Sequence, residues 1–230
     1  NFQKFIEYNI KDVELVKRLD DKMKLLELMY AIAYDAKVNL NDAFTSVRLW
    51  DVMINNHLIK KNIVVPKVSN QDKERQNVGG HVKDPIRGLQ KWVVSFDLNS
   101  LYPHLIMQYN ISPETYKGLH AARSSVDNIL QGGYDNIDNP DDNTIGGSGA
   151  MYTKDFKGFL PTLMERTYND RVVWKKRMIK AQKDYEKSPS KELEYEIAKC
   201  NNMQLAKKIQ LNSAYGALAN PYFRWFKLEH

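Results

Sequence analysis

One carboxylate stands where chemistry is easiest to read. Asp97 follows Trp92-Val93-Val94-Ser95-Phe96, an apolar, β-branched run with the composition of a buried strand. Burying a carboxylate there without a partner is costly. A metal ion would neutralise it. The N-terminal amides of Leu101–Gln108, which reads as a helix after an Asn99-Ser100 turn, would serve as well. A second group is cationic. Between Leu160 and Lys183, seven basic residues (Arg166, Arg171, Lys175, Lys176, Arg177, Lys180 and Lys183) stand against Glu165 and Asp170, a local net charge of +5. Such a run is ordinarily a solvated face, but its spacing says more. Arg171 and Lys175 are i, i+4, and Lys208, Asn212 and Tyr215 form an i, i+4, i+7 stripe, so two helices could offer cations and an aromatic ring to one polyanionic ligand. A third pair, Tyr8 and Asp12, lies four residues apart on a stretch with helical periodicity. A carboxylate on an apolar stripe is either a ligand holder or an acid near a helix start, favoured by the dipole.

These strings resemble family B DNA polymerases. Asp97-Leu98-Asn99-Ser100-Leu101-Tyr102-Pro103 is similar to the family's first catalytic-carboxylate motif, Asp-x-x-Ser-Leu-Tyr-Pro. Asn110-Ile111-Ser112-Pro113-Glu114-Thr115 resembles the polymerases of T-even-type bacteriophages. The stretch from Lys208 to Gly216 matches the fingers motif Lys-x-x-x-Asn-Ser-x-Tyr-Gly, and Arg171-Val172-Val173-Trp174-Lys175 is similar to its partner helix. Tyr8-Asn9-Ile10-Lys11-Asp12 looks like the Tyr-x-x-x-Asp motif of the linked 3′–5′ exonuclease.

The resemblance implies a DNA-directed DNA polymerase, moving a nucleotidyl group from dNTP to a primer 3′ end with two Mg2+ ions. It makes Asp97 and the backbone carbonyl of Leu98 metal ligands, and Asp12 a metal ligand of an exonuclease remnant in which Tyr8 orients water. Arg171, Lys175, Lys208 and Asn212 would hold the triphosphate, with Lys208 also protonating pyrophosphate. Ser100, Leu101 and Tyr102 would line the nucleotide pocket. The Tyr102 ring would lie beneath the deoxyribose and exclude a 2′-hydroxyl; a Tyr-Pro packing pair is compatible with that role. Tyr215 and Gly216 would meet the nascent base pair, and Gly79-Gly80 the template, or simply form a turn. The implied partners are primer-template DNA, dNTP and a sliding clamp, in the cytoplasm of a phage-infected host. The second carboxylate motif, Asp-Thr-Asp, and the earlier exonuclease carboxylates do not occur. The chain alone is therefore expected neither to polymerise nor to proofread. The alternative is a non-catalytic nucleotide- or nucleic-acid-binding segment of a naturally divided polymerase.

The elements that must position these residues follow from periodicity. Phe5 to about Tyr34 predicts a helix with Leu15, Leu19, Met23, Leu26, Tyr30 and Ala33 on its apolar stripe. Asn41 to Asn62 predicts another, with Leu49, Trp50, Met53, Ile54 and Leu58 at core spacing and His57 at the surface or packed. Residues 65–75 read as a linker. Residues 120–153, rich in Gly, Asn, Asp and Ser, read as an irregular insertion with a short helix at Ser125–Leu130 and flexible glycines at 146–149. Lys157-Gly158-Phe159-Leu160-Pro161 opens a long helix to about Lys187. After Ser188-Pro189-Ser190, a second helix runs from Lys191 to about Tyr215.

The expected fold is α+β: part of a palm sheet, a long antiparallel two-helix fingers hairpin, and N-terminal helices from the exonuclease region. The expected boundaries are 1–25 for the end of the exonuclease domain, 26–78 for a helical connecting segment and 79–157 for the first part of the palm. Fingers follow over 158–218, a return to the palm over 219–227, and a tag remnant at 228–230.

Composition agrees. A net charge of +6 favours polyanionic partners, and the single Cys200 excludes an intrachain disulfide and a cysteine zinc cluster, which suits a reducing compartment. No apolar run approaches the roughly 20 residues that span a membrane. The start at Asn1 and the end at Leu228-Glu229-His230, similar to a vector junction, suggest that both ends are cut.

Overall fold

The computed structural model describes residues 2–67, 82–120, 131–132 and 138–227. Two compact units divide the chain: residues 1–53 with 167–210, and residues 54–166 with 211–230.

The first unit begins with α1 (Phe2–Met23) and α2 (Leu25–Ala36). The expected single helix is broken at Lys24, whose backbone is left-handed at φ 54°, while the Asp20 carboxylate accepts a hydrogen bond from the Leu26 amide. A 3-10 turn (Leu40–Phe44) leads into α3 (Ser46–Ile59). Ile32, Ala33, Ala36, Ala43, Leu49 and Ala206 are buried together, with Leu28, Met29, Val38 and Met53 packed against them. The predicted stripe is buried only in part. No residue of α1 is buried, and Phe5, Tyr8, Leu15, Leu19 and Met23 are exposed. Periodicity gave α1 an apolar face, but no described element covers it.

The long helices are α5 (Phe159–Lys187) and α6 (Lys191–Leu218), close to their predicted spans. Ser190 caps α6 by accepting a hydrogen bond from the Leu193 amide. Within the first unit, Asp170 meets Lys207 and Arg177 approaches Glu196, so residues later on α5 meet earlier ones on α6. This is the antiparallel hairpin.

In the second unit, α4 (Leu101–Gln108) has its predicted span and buries Pro103 and Ile106. Three strands follow: β1 (Tyr116–Leu119), β2 (Thr144–Ile145) and β3 (Ala150–Tyr152), antiparallel in the order β1-β3-β2. The insertion is thus partly a hairpin. Gly146 to Gly149 is its turn: the Gly146 amide donates to the Ala150 carbonyl, and Gly149 has φ 84°. The expected helix at 125–130 lies outside the described residues.

The expected strand at Trp92–Phe96 does not form. Trp92 is 98% exposed, Phe96 is 90% exposed, and Trp92 has a left-handed φ of 59°. β-branched residues favour a strand only when a neighbour supplies ladder hydrogen bonds and a packing surface. The three described strands pair only with one another.

The start of α5 explains the string Asn110–Thr115. Asn110, left-handed at φ 57°, donates from its side-chain amide to the Thr153 carbonyl at 2.7 Å and the Phe156 carbonyl at 2.8 Å. Its Oδ1 accepts from the Gly158 amide at 2.9 Å. Glu114 accepts from the Phe159 amide, and Ser112 Oγ from the Leu160 amide. Pro161 needs no partner for the proton it lacks. The first turn of α5 is thereby satisfied from one loop.

Candidate active site

The first unit carries the cations. Lys175 and Lys208 are exposed and Arg171 is half-buried. Immediately before Lys208, Lys207 is buried, its Nζ 2.8 Å from Asp35 Oδ1 on α2 and 3.0 Å from Asp170 Oδ2 on α5. Gln210 Nε2 donates to the other Asp35 oxygen at 2.8 Å, and Trp50 Nε1 donates to the Gln210 carbonyl at 3.1 Å. The sequence reading passed over this network. A signal was present: Lys207 lies three and seven residues before Gln210 and Ala214, on the buried stripe of α6. A lysine on such a stripe needs a buried acid.

The second unit carries the motif around Asp97. Asp97 and Leu98 are exposed, in a stretch without regular structure. Asp97 is therefore not the buried carboxylate expected and does not cap α4, whose N-cap residue is Ser100, at φ 52° and without a side-chain cap bond. The Ser100 carbonyl accepts from the His104 amide at 3.1 Å. Leu101 and Tyr102 open the helix, both partly exposed. The Tyr102 ring stacks on Tyr215 of α6, with centroids 4.5 Å apart and planes 15° apart. Asn212 and Gly216 are exposed on the same helix.

Tyr8 and Asp12 are exposed on α1, and no acid lies in its first turn, so Asp12 lies neither on a buried stripe nor at a dipole-favoured helix start. Gly79 and Gly80 lie outside the described residues.

The carboxylate of Asp97 and the carbonyl of Leu98 are hard oxygen donors, suited to Mg2+. They do not make a site by themselves. Among the described residues no three His, Cys, Asp or Glu side chains come together. Nor, among the described residues, is any helix long and apolar enough to cross a membrane.

Comparison with known proteins agrees with the motifs. The family model of DNA polymerase family B matches residues 44–223. The DNA-directed DNA polymerase of Escherichia phage RB69 is 32% identical over the whole chain, which covers 30% of that relative. The DNA-directed DNA polymerase of Enterobacteria phage T4 is 28% identical, again over the whole chain and 30% of the relative. The chain thus spans under a third of the length of these phage relatives. The solved family B polymerase of Pyrobaculum calidifontis shares the fold, with a TM-score of 0.60 and 22% identity over 92% of this chain and 25% of that one. This chain belongs to DNA polymerase family B.

Proposed function

We propose that these residues serve a DNA-directed DNA polymerase that adds dNTP to the 3′ end of a primer on a template, in the cytoplasm of a phage-infected cell. The observation that carries the reading is the stack of Tyr102 on Tyr215, which joins the Asp97 motif to the fingers motif. Residues 1–25 would end an exonuclease domain, 26–78 connect, 79–157 begin the palm and 158–218 form the fingers. Arg171, Lys175, Lys208 and Asn212 hold the triphosphate as cations and donors in a helix hairpin. Tyr102 lies under the sugar, beside Ser100 and Leu101, while Tyr215 and Gly216 meet the base pair. Asp97 and Leu98 would contribute oxygen ligands to Mg2+, which when bound offsets phosphate charge.

Asp97 alone does not complete that ligand set, so the isolated 230-residue chain is proposed to be inactive. Primer extension tests both statements. The complete polymerase containing these residues should extend a primer and lose extension with Asp97→Asn, while its melting temperature stays unchanged because Asp97 is exposed. Extension by Asp97→Asn at the parent rate would overturn the reading. Template-dependent extension by the 230-residue chain would overturn the proposed inactivity.

A further inference from the structure

Lys208 is the cation on α6 that the proposed function places on the triphosphate, and its neighbour has a different occupation. Lys207 points into the first unit, its side chain 8% exposed. It holds Asp35 of α2 and Asp170 of α5 at once, at 2.8 and 3.0 Å. Three residues on, Gln210 is fully buried and tied twice, donating to the same Asp35 and accepting through its carbonyl from Trp50 of α3. Lys208 and Ile209, the two residues between these anchors, are exposed.

A helix residue cannot turn without its neighbours, since successive side chains are set about 100° apart by the backbone. Fixing residues 207 and 210 against three other helices therefore fixes the direction in which 208 leaves the helix. Charge reinforces the choice of which lysine goes in. Two carboxylates at the Lys207 ammonium leave the three side chains with a net charge of −1, so this ammonium does not attract a further anion. The ammonium of Lys208 stays outside and unclaimed by that acid pair.

From this geometry we infer that Lys207 is a positioning residue for nucleotide binding, acting through the Asp35–Lys207–Asp170 bridge to hold α6 so that Lys208 meets the triphosphate. The inference rests on the proposed role of Lys208, and its test separates the two. In the complete polymerase, KM for dNTP and kcat would be measured for Lys207→Met, Lys207→Arg, Lys208→Ala and the Lys207→Met/Lys208→Ala double variant, with melting temperature followed in each. Lys207→Met should raise KM about tenfold with kcat within about threefold, and Lys207→Arg should recover most of the loss, because its guanidinium also spans two carboxylates. On the Lys208→Ala background, Lys207→Met should change KM by less than about twofold, since nothing remains to be positioned. Asp35→Asn, which keeps the side-chain shape and an acceptor for Gln210, carries the same test should Lys207→Met fail to fold. Full additivity of the two substitutions in KM, or a fall in kcat at constant KM, would show a merely structural lysine and overturn the inference. An unchanged KM in Lys208→Ala would overturn the role of Lys208 instead.

Discussion

Tyr102 and Tyr215 lie face to face, 4.5 Å between ring centroids. One ring comes from the first turn of α4 and the other from the C-terminal part of α6. Stacking of this kind is worth about 0.5–1.5 kcal/mol beyond the area buried, enough to hold a partly exposed ring in one rotamer. If that ring is the barrier to a 2′-hydroxyl, the barrier is steric. Tyr102→Ala should then raise rNTP incorporation relative to dNTP by on the order of tenfold or more, whereas Tyr102→Phe should leave the ratio near its parent value. Competing the two nucleotides in primer extension measures it. The same ratio in Tyr102→Ala as in the parent would leave Tyr102 as packing alone.

The hairpin's cations should not be equivalent. Lys208 is exposed within the motif of α6, whereas Lys187 ends α5 beside the turn. Lys208→Ala should weaken dNTP binding several-fold more than Lys187→Ala in a fluorescence titration. Both should bind less tightly with added salt, through screening. Equal losses would mean diffuse attraction to a basic surface.

Gly158 meets the loop that caps α5 with no room to spare. A Cβ there would lie 2.5 Å from Ser112 Cβ and 3.2 Å from Thr115 Cγ2, both belonging to fully buried residues. Gly158→Ala should cost about 1–3 kcal/mol of stability by overpacking. Urea denaturation of the parent, Gly158→Ala and Gly158→Ala/Ser112→Gly would read it. Partial recovery in the double variant identifies the clash, and no loss in the single variant would refute it.

His57 predicts a pH effect. Burial first, then Lys61, Arg166 and Lys60, hold its imidazole below the usual 6.5, and Nε2 is buried without a protein hydrogen-bond partner. Folding thus favours the neutral ring. As pH falls through 6.5 the unfolded chain takes up the proton first, so this contribution lowers stability from there down to the depressed native value. His57→Gln should therefore lose less melting temperature than the parent between about pH 7.5 and about pH 5.5. Parallel losses would remove His57 from the pH response.

Where an element is complete in local sequence, it was legible. α4, α5 and α6 carry their own starts, stops and apolar spacing, and each lies near its expected span. The run at Trp92–Phe96 and the stripe of α1 were legible as apolar, but burial is a property of neighbours, and none of the described residues supplies them. β1 and β2 escaped because four residues with a glycine, and then two residues, are too short for a period to show. Of the site, motif strings could mark Tyr102 and Tyr215 singly; only coordinates show one ring on the other. Lys207 was overlooked because a lysine beside a motif lysine reads as more surface charge.

The left-handed residue at Lys24 has a consequence for the chain in solution. It separates a 22-residue helix that buries nothing from the one that enters the core. Without a buried face, α1 depends on intrinsic helix propensity, which at this length is marginal in water. Its amides should exchange with deuterium far ahead of those in α2, and a protease cutting at Lys22 or Lys24 should leave a trimmed chain that melts as cooperatively as before. Thermal unfolding of the 230 residues then reports on the part that begins at Leu25.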